Sequence, residues 1–320
     1  MQYDLNIFSA TLLWSGMAVY AIAFVAFSMD LAKRSSEVVT AADEIATAES
    51  SASSGRTATL VREKTSVRRS ATQRVGVAMM VLGFLLHTGA VVVRGIDAGR
   101  VPWANMYEFA MTGTALIVAV YLLVLTRVDL RFLGTFVSGL VLVLLGLSAV
   151  NFYTAVVPLP PSLQSAWLVI HVFVASLGTA FFALGFALNV LQLIQFRREV
   201  LKQDVTRLKL KFLATLPSSE RLEALAYRMA IVGFIMWTFT LIAGSIWAEK
   251  AWGRYWGWDT KEVWTFIIWV LYAGYIHARA TRGWRGSRSA WLGIIGFLAV
   301  MFNFVVVNVF FKGLHAYSGL

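Results

Sequence analysis

AEKAWGRYWGWDTKE, residues 248–262, decides how this chain is read. Trp252, Trp256 and Trp258 crowd together there beside Tyr255 and Asp259, and Gly253 and Gly257 let the backbone bend and something flat come close. Long apolar runs flank the stretch on both sides, so it is a loop or surface helix at a membrane boundary. Tryptophan suits the headgroup level, and an aromatic belt is the plain explanation. Such a belt spreads over many helix ends, however. Three indoles on one connection beside a carboxylate read instead as a platform for a large planar ligand.

Working outward, the chain has 320 residues, 58% of them hydrophobic, and a mean hydropathy of +0.70. Soluble domains are rarely so apolar, and several runs exceed the roughly 18 apolar residues that mark a spanning helix. The expected fold is all-α: a polytopic integral membrane protein with about eight transmembrane helices. The segments run near 5–29, 75–93, 106–125, 132–152, 167–196, 230–247, 263–276 and 290–311. The first is long for a signal peptide and lacks a small-residue cleavage site, so residues 1–30 are read as a retained N-terminal transmembrane helix. Residues 31–74 form a cytoplasmic linker rich in Ala, Ser, Thr and Glu, strongly basic from Arg62 to Arg74, with a middle expected to be disordered. Residues 75–320 make the main membrane domain. Within it, 197–228 is basic and carries Leu201, Val205, Leu208 and Phe212 at helical spacing, which predicts an amphipathic helix on the membrane surface, ended by Pro217. There are no cysteines. The protein has no thiolate for a metal, and any thiol-bearing substrate must be kept reduced by another protein.

The net charge of +11 is a matter of topology, not of nucleic acid. Alternating the loops between the two sides gathers most of the Lys and Arg into 31–74, 127–131, 197–228 and 279–288. The positive-inside rule makes that side cytoplasmic. Both termini then lie on the outer face. The tryptophan stretch, the proline loop before His171 and the tail with His315 lie there too.

None of the four histidines sits in a long soluble loop. An ionisable side chain in a membrane segment is costly and points to function. His171, one turn inside the fifth segment, and His315, just past the eighth, share the depth of the tryptophan stretch. Two imidazoles flanking a planar ring, with indoles at its edge, is the arrangement for haem held by two histidines, and neutral imidazole is the ligating form. The alternative is that each merely hydrogen-bonds a neighbouring helix. His277 lies about 21 Å deeper along the seventh segment at 1.5 Å per residue. It either ligates a second, inner haem or snorkels at the far interface beside Arg279. His87 matches neither depth and is read as a packing or gating residue.

The run WGRYWGWDTKEVWTFIIWVLYAGYIHARATRGW, preceded by GSIWAEKA and followed by GLHAYSG, resembles the CcsA family of System II cytochrome c biogenesis, also called CcsB or ResC, whose mark is a tryptophan-rich "WWD" domain. LPPSLQSAWLVIHV and LPSSERLEALAYRMAIVGF extend the resemblance, and HTGAVVVRG and PWANMYEF do so weakly. It implies that Trp252, Trp256, Trp258 and Asp259 form the motif. It implies that His171 and His315 hold haem b at the outer face, with His277 binding haem within the membrane. It further implies a ResB-type membrane partner, which or His87 would supply the second inner ligand, and an apocytochrome c that brings a CxxCH segment. The implied place is the plasma membrane of a bacterium. The expected function is haem translocation and presentation for covalent attachment, within a haem lyase complex. The alternative is a haem exporter that delivers to a separate attachment protein. A b-type electron carrier would need paired histidines at matched depth on neighbouring helices, and none are found. A membrane scaffold would bind no haem. Lys250, Arg254 and Lys261 either pair with haem propionates or anchor the interface. Asp259 either orients a ligand histidine or pairs with Lys261 or Arg254.

Overall fold

The computed structural model describes residues 4–51, 70–158, 164–201, 211–281, 283–311 and 313–315. Among these there is no strand. Eight long helices follow in chain order: α1 Leu5–Ser51, α2 Ala71–Ala98, α3 Met106–Leu125, α4 Gly134–Asn151, α5 Ala166–Val200, α6 Ser219–Trp252, α7 Thr260–Ala280 and α8 Ser287–Phe310. Side chains that accept from the first-turn amides fix several starts: Ser70, Asn105, Ser165, Ser218 and Asp259. Seven of the eight are long and apolar enough to cross a membrane. The exception is α7, because Lys261, Glu262, His277 and Arg279 near its ends, with its Trp and Tyr residues, dilute the apolar run. It is nonetheless packed into the bundle against α6 and α8, with Ile268, Tyr272 and Tyr275 buried. The all-helical, multi-span reading stands.

Three boundaries depart from expectation. Helix α1 runs on to Ser51, through nearly half of the expected linker. Ala, Glu and Leu there are good helix formers, Ser35 and Val39 are buried, and α1 packs on the 3₁₀ turn Lys211–Thr215. Most of the rest of the linker lies outside the described residues. The surface helix expected over 197–228 falls partly outside them too, Val205 and Leu208 included. What is described of it extends the bundle. Helix α5 continues to Val200, Phe212 packs on Phe136 with ring centroids 6.5 Å apart, and α6 already begins at Ser219. Last, α6 continues to Trp252, so the front of the tryptophan stretch is helix.

The eight helices are two copies of one four-helix unit. In the first, Ser9 Oγ donates to Ala90 O (2.9 Å) and Gly16 lies on the Gly83 carbonyl. The Tyr20 ring covers Gly83, and His87 Nε2 reaches Met111 O on the third helix (2.8 Å). In the second, His171 Nδ1 bonds Thr240 O (3.0 Å) and Gly178 lies on the Gly233 carbonyl. The Phe182 ring covers Gly233, and Trp237 Nε1 donates to Thr265 O on the third helix (3.0 Å). The second helix of each unit ends on a left-handed glycine, Gly99 (φ 62°) or Gly253 (φ 69°). The third is capped by Asn105 ahead of Glu108, or by Asp259 ahead of Glu262. The fourth ends at Phe152 or Phe311. The units differ at one place relevant to the site. Between Thr240 and Gly253, α6 holds one more helical turn than α2 does between Ala90 and Gly99. That stretch carries Gly244 and Trp247.

An even number of helices per unit sets both units parallel, as in transporter folds repeated about an axis along the membrane normal. One end of the bundle therefore gathers the start of α1, the α2–α3 connection, the start of α5, the α6–α7 connection and the end of α8. Buried Arg94 ties this end together through Glu108 (3.1 Å), Asn6 Oδ1 (3.0 Å) and Thr154 O (2.6 Å). At the opposite end, Gln73 meets Arg131 (3.3 Å) and Glu223 meets Arg279 (2.6 Å) and Ser289 (3.0 Å).

Candidate functional site

After Gly253 the chain turns, and Asp259 restarts the helix with a reciprocal capping box: its carboxylate takes first-turn amides of α7 while Glu262 reaches back. Glu262 Oε2 accepts from Gly257 N (2.8 Å) and Asp259 N (3.1 Å). This pins both sides of Trp258, which sits in the left-handed region at φ 59°, an unusual place for a bulky residue. Its ring is 75% exposed and meets Trp256 edge-on at 6.0 Å.

His171 sits near the start of α5. Its Nδ1 lies 3.0 Å from Thr240 O. A carbonyl only accepts, so Nδ1 carries the proton and Nε2 keeps its lone pair. Gly244 makes the room: a Cβ there would stand 2.7 Å from the imidazole. Trp247 stacks on His171 (5.9 Å, 18°) and meets His315 edge-on (5.4 Å, 70°). Trp252 packs against His315 from 4.8 Å and against Trp247 from 4.7 Å.

Asp259 completes the seat of His315. Its Oδ1 accepts from Lys261 N (2.7 Å), its Oδ2 from Leu314 N (2.7 Å), and His315 Nδ1 lies 3.6 Å away. Gly313 permits this approach, since a Cβ there would lie 2.5 Å from Asp259 Oδ2. Burial alone would raise the Asp259 carboxyl, but the neighbouring His315 imidazole and the hydrogen bonds from the Lys261 and Leu314 amides prevail and hold it down at about 2. Of the two roles open to Asp259, the geometry has it beside His315. The Lys261 ammonium turns instead to α8, and the Arg254 guanidinium lies over Gly257.

His171, Trp247, Trp256, Lys261 and His315 share the wall of one apolar cavity of about 290 Å³ that runs inward between α3 and α8 past Trp237. Trp252 and Asp259 lie outside the wall and pack against His315. Trp258 also lies outside it. His277 is exposed near the far end of α7, about 24 Å along the helix from Lys261, and does not share the cavity. His87 is buried, with Nε2 on Met111 O and Nδ1 3.3 Å from the Tyr20 hydroxyl, so both nitrogens are engaged. It is the counterpart of Trp237, a lock between helices. Spacing alone singled out neither Trp247, Gly244 nor Thr240, because each matters only through a contact between helices distant in sequence. No group of three or more His, Cys, Asp or Glu residues placed to hold a metal ion occurs among the described residues.

Fold and site together define a class: a multi-span helical membrane protein that presents two imidazoles and a set of indoles around an apolar cavity at one end. The family model for "Cytochrome C assembly protein" matches residues 103–315, and this chain belongs to that family, among its CcsA proteins. Cytochrome c biogenesis protein CcsA of Guillardia theta is 35% identical over 263 residues, covering 77% of this chain and 86% of its own. The CcsA of Synechococcus sp. (strain CC9902) is 32% identical over 281 residues, covering 78% and 89%. That of Chlamydomonas reinhardtii is 33% identical over 246 residues, covering 75% and 67%. The solved structure of cytochrome c haem lyase CcmF superposes with a TM-score of 0.60 at 14% identity, over 95% of this chain. The chain spans about half of that protein (47%), and the likeness is one of fold.

Proposed function

We propose that the cavity between His171 and His315 receives haem b and presents it for covalent attachment to apocytochrome c. One observation carries this reading. Two histidines far apart in sequence meet across Trp247 on the wall of a single apolar cavity, and the His171 tautomer leaves Nε2 to ligate. The family's part in cytochrome c assembly supports haem as the substrate.

Haem is held here by its iron and its faces. His171 and His315 would hold the iron. Thr240 fixes the first imidazole and Asp259 the second, as outer partners commonly fix ligating histidines. Trp256 and Trp247 give the ring apolar walls, while Trp252 keeps His315 in place. The apocytochrome then brings its CxxCH segment to the exposed edge near Trp258. Each thiol adds across a vinyl group: sulfur bonds one carbon and the thiol proton goes to the other, with no net oxidation. The chemistry belongs to haem and thiol, and the protein supplies orientation. Holding the partners in register removes up to about 7–11 kcal/mol of barrier in the best cases.

The charge asymmetry supports a site facing away from the cytoplasmic side, and the membrane we infer is the plasma membrane of a bacterium. A ResB-type subunit is the partner that would cover exposed His277 and complete a second, inner haem site on the route outward. A separate thiol-reducing protein keeps the CxxCH cysteines free. The competing reading, export of haem to another attachment protein, separates cleanly by experiment. The chain and a ResB-type partner are expressed with an apocytochrome c in cells lacking any other maturation system. Denaturing gels stained for haem should show covalently bound haem on the cytochrome, lost in His171→Ala and His315→Ala. Haem released outside the cell without attachment would mean export.

A further inference from the structure

Lys261, half-buried in the first turn of α7, is a cation on the cavity wall. Its Nζ donates to Asn303 O (2.9 Å) and Asn308 Oδ1 (2.6 Å), both on α8, which leaves one of its three N–H groups over. No carboxylate forms an ion pair with it among the described residues. The nearby acids are committed elsewhere, Glu262 to the Gly257 and Asp259 amides and Asp259 to Leu314 and His315. The first unit shows the contrast. There Glu108, the counterpart of Glu262, is closed by Arg94 (3.1 Å) and Arg100 (2.7 Å). In the second unit Glu262 binds backbone amides instead, and no carboxylate stands within ion-pair distance of Lys261 among the described residues. A charge drawn out of water is costly unless it is matched, and an anionic group on whatever fills the cavity would match it. The other basic residues of the stretch do not compete: Lys250 and Arg254 are exposed and lie off the cavity wall.

We propose that Lys261 receives a carboxylate of the ring that fills the cavity, so that haem enters with one propionate directed at the contact between α7 and α8. This rests on the haem reading above. The test is an absorbance titration of the purified full chain in detergent with iron(III) protoporphyrin IX and, separately, with its dimethyl ester. The wild type should bind the diacid about tenfold to a hundredfold more tightly than the diester, the scale of a charge-assisted hydrogen bond. Lys261→Met should lose that preference while keeping the same Soret position, because the histidines are untouched. Lys261→Arg should retain it. Equal binding of diacid and diester by the wild type overturns the proposal and needs no variant that must fold. A preference that survives in Lys261→Met overturns it too. Failure of the wild type to bind either ring would instead overturn the haem reading itself.

Discussion

Gly244 and Asp259 are the two residues on which the positions of the imidazoles depend. A methyl group at Gly244 would stand 2.7 Å from the His171 ring, inside any permitted contact. Gly244→Ala should therefore push His171 off Thr240, at about 1–3 kcal/mol for overpacking, and lower haem occupancy as read by the Soret band. Gly83→Ala is the matched control. It meets the Tyr20 ring at 2.6 Å in the first unit, away from the cavity. It should lower the unfolding midpoint comparably and leave haem per folded protein unchanged. Asp259 serves the start of α7 and His315 together. Asp259→Ala should cost about 1 kcal/mol as a lost cap and loosen His315. Asp259→Asn keeps the cap but not the charge, so thermal unfolding should move less than haem retention does. At this scale the sequence disclosed the histidines because imidazoles are costly in a membrane. It could not disclose Gly244, whose meaning lies in a ring carried by another helix.

Helices were legible as apolar runs: eight spans were expected, and the described residues form eight long helices, seven of them long and apolar enough to cross a membrane. Their ends were harder to read. The 248–262 stretch looked like one connection, yet Trp252 belongs to α6 and only Gly253–Asp259 is turn. The signal was present as Asp259-Thr-Lys-Glu262, a capping pattern, beside a glycine suited to a left-handed end. The linker ran the other way: its first part, 31–51, continues α1 as helix to Ser51, and most of the middle expected to be disordered lies outside the described residues. His87, whose depth fitted no haem, proves to be a lock between α2 and α3, paired on both nitrogens. His87→Ala should cost about 1–3 kcal/mol by stranding the Met111 carbonyl and the Tyr20 hydroxyl. Its haem spectrum should match that of the wild type.

The described residues form a duplicated four-helix unit in which the second copy brings both imidazoles and the first, through Trp103, Met106 and Phe109, shares the cavity wall. The duplication was hidden from the sequence because matched positions hold different residues: Ser9 and His171, Tyr20 and Phe182, His87 and Trp237, Asn105 and Asp259. Only their contacts are alike: matching hydrogen bonds or, for Tyr20 and Phe182, a ring laid over the facing glycine. The first copy closes its end with the Arg94–Glu108–Arg100 cluster. The second opens a cavity there, with Trp247 on the additional turn of α6 against both imidazoles. The central claim is that one haem iron is held between His171 and His315. Electron paramagnetic resonance of the oxidised haem-loaded chain tests it most directly. The wild type should give a low-spin signal with two histidine ligands. His171→Ala and His315→Ala should each turn high-spin, and added imidazole should restore the low-spin signal in both. A low-spin signal unchanged by either substitution would contradict the account and place the iron elsewhere.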